Sequence, residues 1–257
     1  MQDRENHIRA RAHPLPMNAI RYASLSERGI RATNDDSIFT GPVGALQLFA
    51  IADGEILRPG GQAASEIAIR CLGDEVRDAS GRPPATVLAS AVLRADGEIR
   101  RESKKAGARE GMSTKLTACL VNWDRACTVL DTGEGSCYFI GPDGIRTPRE
   151  RATGGAKAGS GARAPSGWGG CDEMLSHTLG APRVLKESDI TTTSLAGSIL
   201  LLSSDGLHDF VEREEILGIV LRYRDNLEAA CQALVHQALT DGSDRTISVI
   251  LVQGEDA

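Results

Sequence analysis

Apolar positions along the chain recur at two different spacings, and each spacing predicts its own kind of element. Ile20 to Ser26 alternates as a strand, Glu27-Arg28-Gly29 turns, and Asn34-Asp35-Asp36 leads into a second short strand at Ser37 to Thr40. The two read as the start of a hairpin. The runs at Leu48 to Ala52 and Ile199 to Leu202 do not alternate, as in strands covered on both faces, and each ends in an Asp-Gly pair, Asp53-Gly54 and Asp205-Gly206. Helical spacing then takes over. From Gly61 to Ala79 it runs through Ala64, Ile67, Ala68, Cys71, Leu72 and Val76, and from Thr86 to Lys105 through Val87, Leu88, Ala91, Val92 and Ile99. Strands return at Lys115 to Asn122, Cys127 to Thr132 and Ser136 to Ile140, the last closing on the turn signal Pro142-Asp143-Gly144, and the three read as an antiparallel meander. Ile216, Ile219, Val220, Leu227, Ala230, Leu234 and Ala238 mark two further helices before a β-prone terminal run from Thr246 to Val252. Strands, helices, strands, helices and a last strand suit two sheets with helices outside better than a βαβ repeat.

Composition narrows this picture. The chain is 41% hydrophobic but only 4% aromatic, so its core must be aliphatic. With no internal repeat and no mid-chain linker, residues 17–257 read as one domain behind a flexible tail at 1–16. Thr147 to Cys171 is rich in Gly, Ala, Arg and Ser and reads as a mobile flap. A net charge of −6 argues against nucleic acid as partner. No apolar run reaches the ~20 residues of a membrane span. Six cysteines without a C-x-x-C pair read as reduced thiols in a cytoplasmic protein, not as a zinc site or disulfide framework.

The acidic residues carry the chemistry. Four acidic stations spread along the chain from Asp36 through Asp53 and Asp205 to Asp244, and three of them stand where an apolar strand begins or ends instead of on a polar helix face. Two bare carboxylates about 5 Å apart repel by roughly 3 kcal/mol at an effective dielectric near 20, so carboxylates gathered there call for cations. An all-oxygen set suits Mg2+ or Mn2+ better than zinc. Competing chemistries find no support: Gly155-Ala-Lys157 lacks the P-loop Gly-Lys-Ser/Thr, Gly133-Glu134-Gly135 lacks a third glycine, and there is no G-x-S-x-G or H-E-x-x-H. The five histidines are dispersed, and His177 and His208 read as surface or capping residues.

In order, these pieces resemble the bacterial type 2C (PPM) metal-dependent serine/threonine protein phosphatases. Arg31-Ala-Thr-Asn34-Asp35-Asp36-Ser37 is similar to the family's R-x-x-N-E-D-S, and Asp53-Gly54 with Gly61-Gln-Ala-Ala64-Ser65 to its D-G box and G-E-x-A-S. Gly111-Met112-Ser113-Thr114 follows, similar to G-M-G-T-T, then Leu175 to Gly180, Leu202 to Gly206, and Asp244 to Ile247. The resemblance implies an α+β fold, a four-layer α-β-β-α sandwich with two mainly antiparallel sheets flanked by helices. It also implies two Mg2+ or Mn2+ ions between the sheets and a water nucleophile acting on phosphoserine or phosphothreonine. By that resemblance Asp53 bridges both ions, Asp36 and the Gly54 carbonyl hold one side, Asp205 and Asp244 hold the other, and Arg31 grips the phosphate. Asp35 and Glu134 would serve a possible weak third ion. Partners would be phosphoproteins made by a serine/threonine kinase, in signalling, with no membrane or nucleic acid involved.

The chain also departs from the family pattern. Glu134 stands where aspartate is usual, Glu55-Ile56-Leu57-Arg58 replaces Met-Gly-Gly-His, Arg245 replaces Asn, and Lys115 follows Ser113-Thr114. Glu55-Ile56-Leu57 and Glu134 motivate one alternative, a catalytically weak or silent phosphatase-like module that binds phosphoproteins.

Overall fold

The computed structural model describes residues 20–55, 60–105, 111–132, 136–152, 178–181 and 189–254. The N-terminal tail, Ile56 to Arg58, Glu134 and the Gly-rich stretch beyond Ala152 lie outside the described residues. Among the described residues, ten strands form two five-stranded antiparallel sheets. One runs in the order β1 (Ile20–Glu27), β10 (Ile247–Gly254), β9 (Ile199–Ser203), β6 (Cys137–Gly141) and β7 (Gly144–Arg146). The other runs β2 (Asp36–Val43), β3 (Leu46–Gly54), β4 (Thr114–Val121), β5 (Ala126–Asp131) and β8 (Ile190–Ser194).

Period-2 geometry sorts each strand between two layers. On β3, Leu48, Ala50 and Ala52 pack against α1 (Gly61–Arg77) and α2 (Pro84–Ser103), through Ala64, Ala68, Leu72, Leu88 and Ile99 among others. Phe49 and Ile51 point the other way and meet Leu200, Leu202, Ile250 and Val252 of the facing sheet. Tyr22 and Phe49, from opposite sheets, stack edge to face with centroids 5.2 Å apart. On the far side Leu201, Val249 and Leu251 lie beneath two more helices, Arg213–Arg222 and Leu227–Thr240. The result is the α-β-β-α sandwich, and the unalternating runs are unalternating because both faces of their strands are covered.

Three local readings change. Ile20–Glu27 and Asp36–Val43 are not a hairpin: β1 pairs with β10 and β2 with β3, so residues 28–35 cross between the sheets. The expected meander also splits, since β4 and β5 pair while β6 joins β9 and β7 in the other sheet. The Pro142-Asp143 turn does close a hairpin, with Gly141 opposite Gly144. At the start of the expected flap, Pro148–Ala152 forms a short helix, α3, held to the chain after β8 by Arg151, which donates to the Ser194 and Ala196 carbonyls and to Ser198 Oγ. The threonine-rich strand β8, the outermost strand of the helix-bearing α1/α2 sheet, follows residues 182–188, which are outside the described set. Among the described residues no helix is long and apolar enough to cross a membrane.

Candidate metal centre

Between the sheets, the inward-facing rows are apolar for most of their length and become polar at one end. On β3 the row Phe49, Ile51 continues to Asp53; on β2 Ile38 is preceded by Asp36; on β4 Val121, Cys119 and Thr117 lead back to Lys115. On β10 Val252 and Ile250 lead back to Ser248. Strand pairing sets Asp36 directly opposite Asp53, and Lys115 opposite Asp53 on its other side. Asp205 arrives from the facing sheet, at the start of a one-turn helix (Asp205–His208) after β9, and its amide donates to Asp53 Oδ2 at 3.2 Å.

Each carboxylate has its own environment. Asp36 accepts from Thr246 Oγ1 at 2.9 Å and from Ser248 Oγ at 2.6 Å. Behind Ser248, Ser26 Oγ lies 2.8 Å away and receives Asn34 Nδ2 at 2.9 Å, while Asn34 Oδ1 accepts the Asp36 amide. Even so, burial raises the Asp36 carboxyl above its ordinary range, offset in part by the hydroxyls. Asp53 is pushed well above its range by burial and then by the charges of Asp36 and Asp205, with Lys115 opposing. Asp205 differs. Burial works against its charge, but the hydrogen bond from His208 and the charge of Lys115 outweigh it and hold the carboxyl well below the usual range. Its Oδ2 contacts Lys115 Nζ and lies 3.1 Å from an Arg245 terminal nitrogen, while Oδ1 lies 3.3 Å from His208 Nε2. Arg245 also reaches Asp209 at 2.8 Å.

The remaining expected residues are more dispersed. Asp244 is 61% exposed at the rim, where its backbone carbonyl accepts Arg31 Nε and its carboxylate lies 3.8 Å from another Arg31 nitrogen. Asp35 lines a separate open cleft of about 310 Å3 with Gly60, Gly61, Gln62, Ala63 and Glu66. Gly54 sits where nothing larger fits: a Cβ there would lie 2.5 Å from the Gly61 carbonyl and 2.6 Å from that of Asp35. Thr114 donates to the Asp53 carbonyl at 2.8 Å and bridges Leu179 through backbone bonds, so three of the family-like motifs meet there.

Sequence reasoning missed the hydroxyl relay through Ser26, Thr246 and Ser248, although the inward parity of β10 was a signal for Ser248. His208 is not a surface cap: its side chain is 10% exposed and wedged between Asp205 and Ser203. If the relay holds Asp36, Ser248→Ala should lower stability in EDTA by about 2 kcal/mol, the value of a hydrogen bond to a charged group. Urea denaturation measures it, and an unmoved midpoint would show that the Ser248 hydroxyl contributes nothing to Asp36.

The donor set suits a hard divalent cation. Asp36 and Asp53 are buried like charges whose hydrogen bonds come from neutral donors, and Gly54 lets the backbone close in beside them. Asp205 lies beside Asp53 and Asp244 stands out at the rim, and among the described residues no three Asp, Glu, His or Cys side chains form a group that could hold a metal ion by themselves.

No protein-family model matches the chain. It is 30% identical over 247 residues to the serine/threonine protein phosphatase PstP of Mycobacterium tuberculosis, a match that spans 92% of this chain and 45% of that protein. The chain thus spans less than half the length of the curated relatives it matches. The crystal structure of M. tuberculosis PstP/Ppp superposes with a TM-score of 0.71 at 25% identity, covering 92% of this chain and 99% of that one. The PstP catalytic domain in complex with two manganese ions gives the same TM-score, identity and coverage. A serine/threonine phosphatase of S. agalactiae reaches 0.75 at 20% identity, covering 92% and 100%. With the sandwich, the acidic stations at its polar end and this kinship together, the chain is homologous to PstP and has the fold of the PPM, or type 2C, serine/threonine phosphatases.

Proposed function

We propose that this chain is a Mg2+- or Mn2+-dependent phosphoprotein phosphatase that hydrolyses phosphoserine and phosphothreonine, opposing a serine/threonine kinase in cytoplasmic signalling. The observation that supports it most is Asp36 set opposite Asp53 in the buried gap between two sheets, a like-charged pair that hydroxyls and one amide only partly relieve. The two manganese ions held by the PstP catalytic domain support reading that gap as a two-ion site. In this reading Asp36, Asp53 and the Gly54 carbonyl would hold one ion, and Asp53 with Asp205 and Asp244 the other. Bound there, paired divalent cations would lower the pKa of water and draw off phosphate charge.

The chain's own groups do the rest. Arg31 stands at the rim, where its guanidinium suits the bidentate recognition of a phosphate. Thr114 holds the Asp53 backbone, and the Asp205 amide orients the Asp53 carboxylate. Asp35 and Glu134 are proposed for a further, weaker ion. Free buried thiols at Cys71, Cys119, Cys127, Cys137 and Cys231 support a reducing compartment.

The test is hydrolysis of phosphoserine and phosphothreonine peptides by protein stripped with EDTA. Activity should vanish and return with Mn2+ or Mg2+, with Zn2+ a poor substitute. Full turnover in excess EDTA would overturn the reading, and metal binding without hydrolysis would leave only a phosphoprotein-binding module.

A further inference from the structure

The two halves of the centre are neutralised differently. Among the described residues, the hydrogen bonds to the Asp36 and Asp53 carboxylates come from Thr246, Ser248 and the Asp205 amide, none of them cationic. Asp205 is instead met by an ammonium, a guanidinium and an imidazole. Lys115 is the most intimate of these. It projects from β4 into the inter-sheet gap, four-fifths enclosed, with Nζ on Asp205 and Glu55 Oε1 3.9 Å away. The space left between Asp53, Lys115, Ser204 and Asp205 is about 10 Å3, room for about one water. The family-like motif G-M-G-T-T has a small neutral threonine at the position Lys115 occupies.

Resting on the two-ion reading above, we infer that Lys115 is a tethered competitor for the ion on the Asp205 side, so that the two ions load in a set order. The Asp36, Asp53 and Gly54 side fills first, because no side-chain cation has to leave it. The Asp205 side fills only when the ammonium withdraws, since +1 and +2 charges sharing one carboxylate oxygen repel at contact. Glu55 offers the withdrawn ammonium a place. A site whose competent state is a minor one binds with an affinity reduced by that fraction. In the metal-free protein the same contact is stabilising, because it neutralises a buried Asp205.

Calorimetric titration of Mn2+ into the full metal-stripped chain tests this, beside Lys115→Thr, Lys115→Met and Lys115→Arg. Wild type should show two binding events, the second about tenfold or more weaker, as a competent fraction near one in ten would make it. Lys115→Thr should tighten the second event by that factor and the first by much less, and Lys115→Arg should retain the wild-type pattern. Lys115→Met, which keeps the apolar stem, should behave as Lys115→Thr does and serves if the threonine variant fails to fold. Melting in EDTA adds a readout independent of activity: both neutral variants should melt lower than wild type without metal and gain more from Mn2+. Two events with unchanged constants in the neutral variants would overturn the inference while leaving the metal reading intact. No Mn2+ bound by folded wild type or variants would overturn both.

Discussion

Asp53→Asn is expected to cut phosphopeptide turnover about a thousandfold, roughly 4 kcal/mol of transition-state stabilisation, while raising the melting temperature of the metal-free protein. The loss follows from its proposed place between both ions, where a neutral amide cannot replace a shared carboxylate. The gain follows from the geometry. Asp53 lies opposite Asp36 and within the field of Asp205, and burial together with those charges disfavours its ionised form. The amide oxygen of asparagine can still accept the Asp205 N–H, so the native bond survives while the repulsion goes. At about 2–4 °C per kcal/mol for a chain of this size, the shift should be readable by scanning fluorimetry in EDTA. Mn2+ should then stabilise wild type much more than the variant. A variant that melts lower in EDTA would show that the Asp53 charge is not a burden to the fold, and turnover above a tenth of wild type would remove Asp53 from the centre of the mechanism.

Gly206→Ala is expected to cost about 3 kcal/mol of stability, at the upper end for overpacking, because the added carbon meets backbone and not a side chain that can turn away. Its Cβ would lie 2.1 Å from the Thr246 carbonyl oxygen and 2.9 Å from the carbon. Thr246 cannot retreat freely, since its hydroxyl holds Asp36 and its carbonyl accepts from Ser204. The damage should therefore reach the metal centre and weaken Mn2+ binding. Gly218→Ala is the control: it lies in the helix Arg213–Arg222, a Cβ there meets nothing within 4 Å, and alanine should add up to about 1 kcal/mol. Urea denaturation of the two variants compares them directly, and equal midpoints would rule out the steric account.

Much of this was legible in the chain because the signals are local. Helical spacing through Ala64, Ala68, Leu72 and Val76 follows from 3.6 residues per turn, and the apolar runs before Asp53 and Asp205 follow from strands buried on both faces. A strand whose odd positions Phe49 and Ile51 enter the core must send Asp53 the same way, so the direction of the central carboxylate was implicit in the pattern. Which strands would pair was not. β1 takes β10 from the other end of the chain instead of its neighbour β2, and β6 leaves β5 for β9. Short turns look alike whether the chain reverses within a sheet or steps across to the facing one, and the choice is made by which apolar faces can be covered together. The same holds for the centre's charge balance. The acids were evident as residues at strand ends, but the serine relay behind Asp36 and the cations on Asp205 exist only because β2, β3, β4, β9 and β10 bring one end each to the same gap. Lys115 is one of five lysines in the sequence, with nothing local to set it apart; across a strand from Asp53 and against Asp205, it becomes a counter-ion.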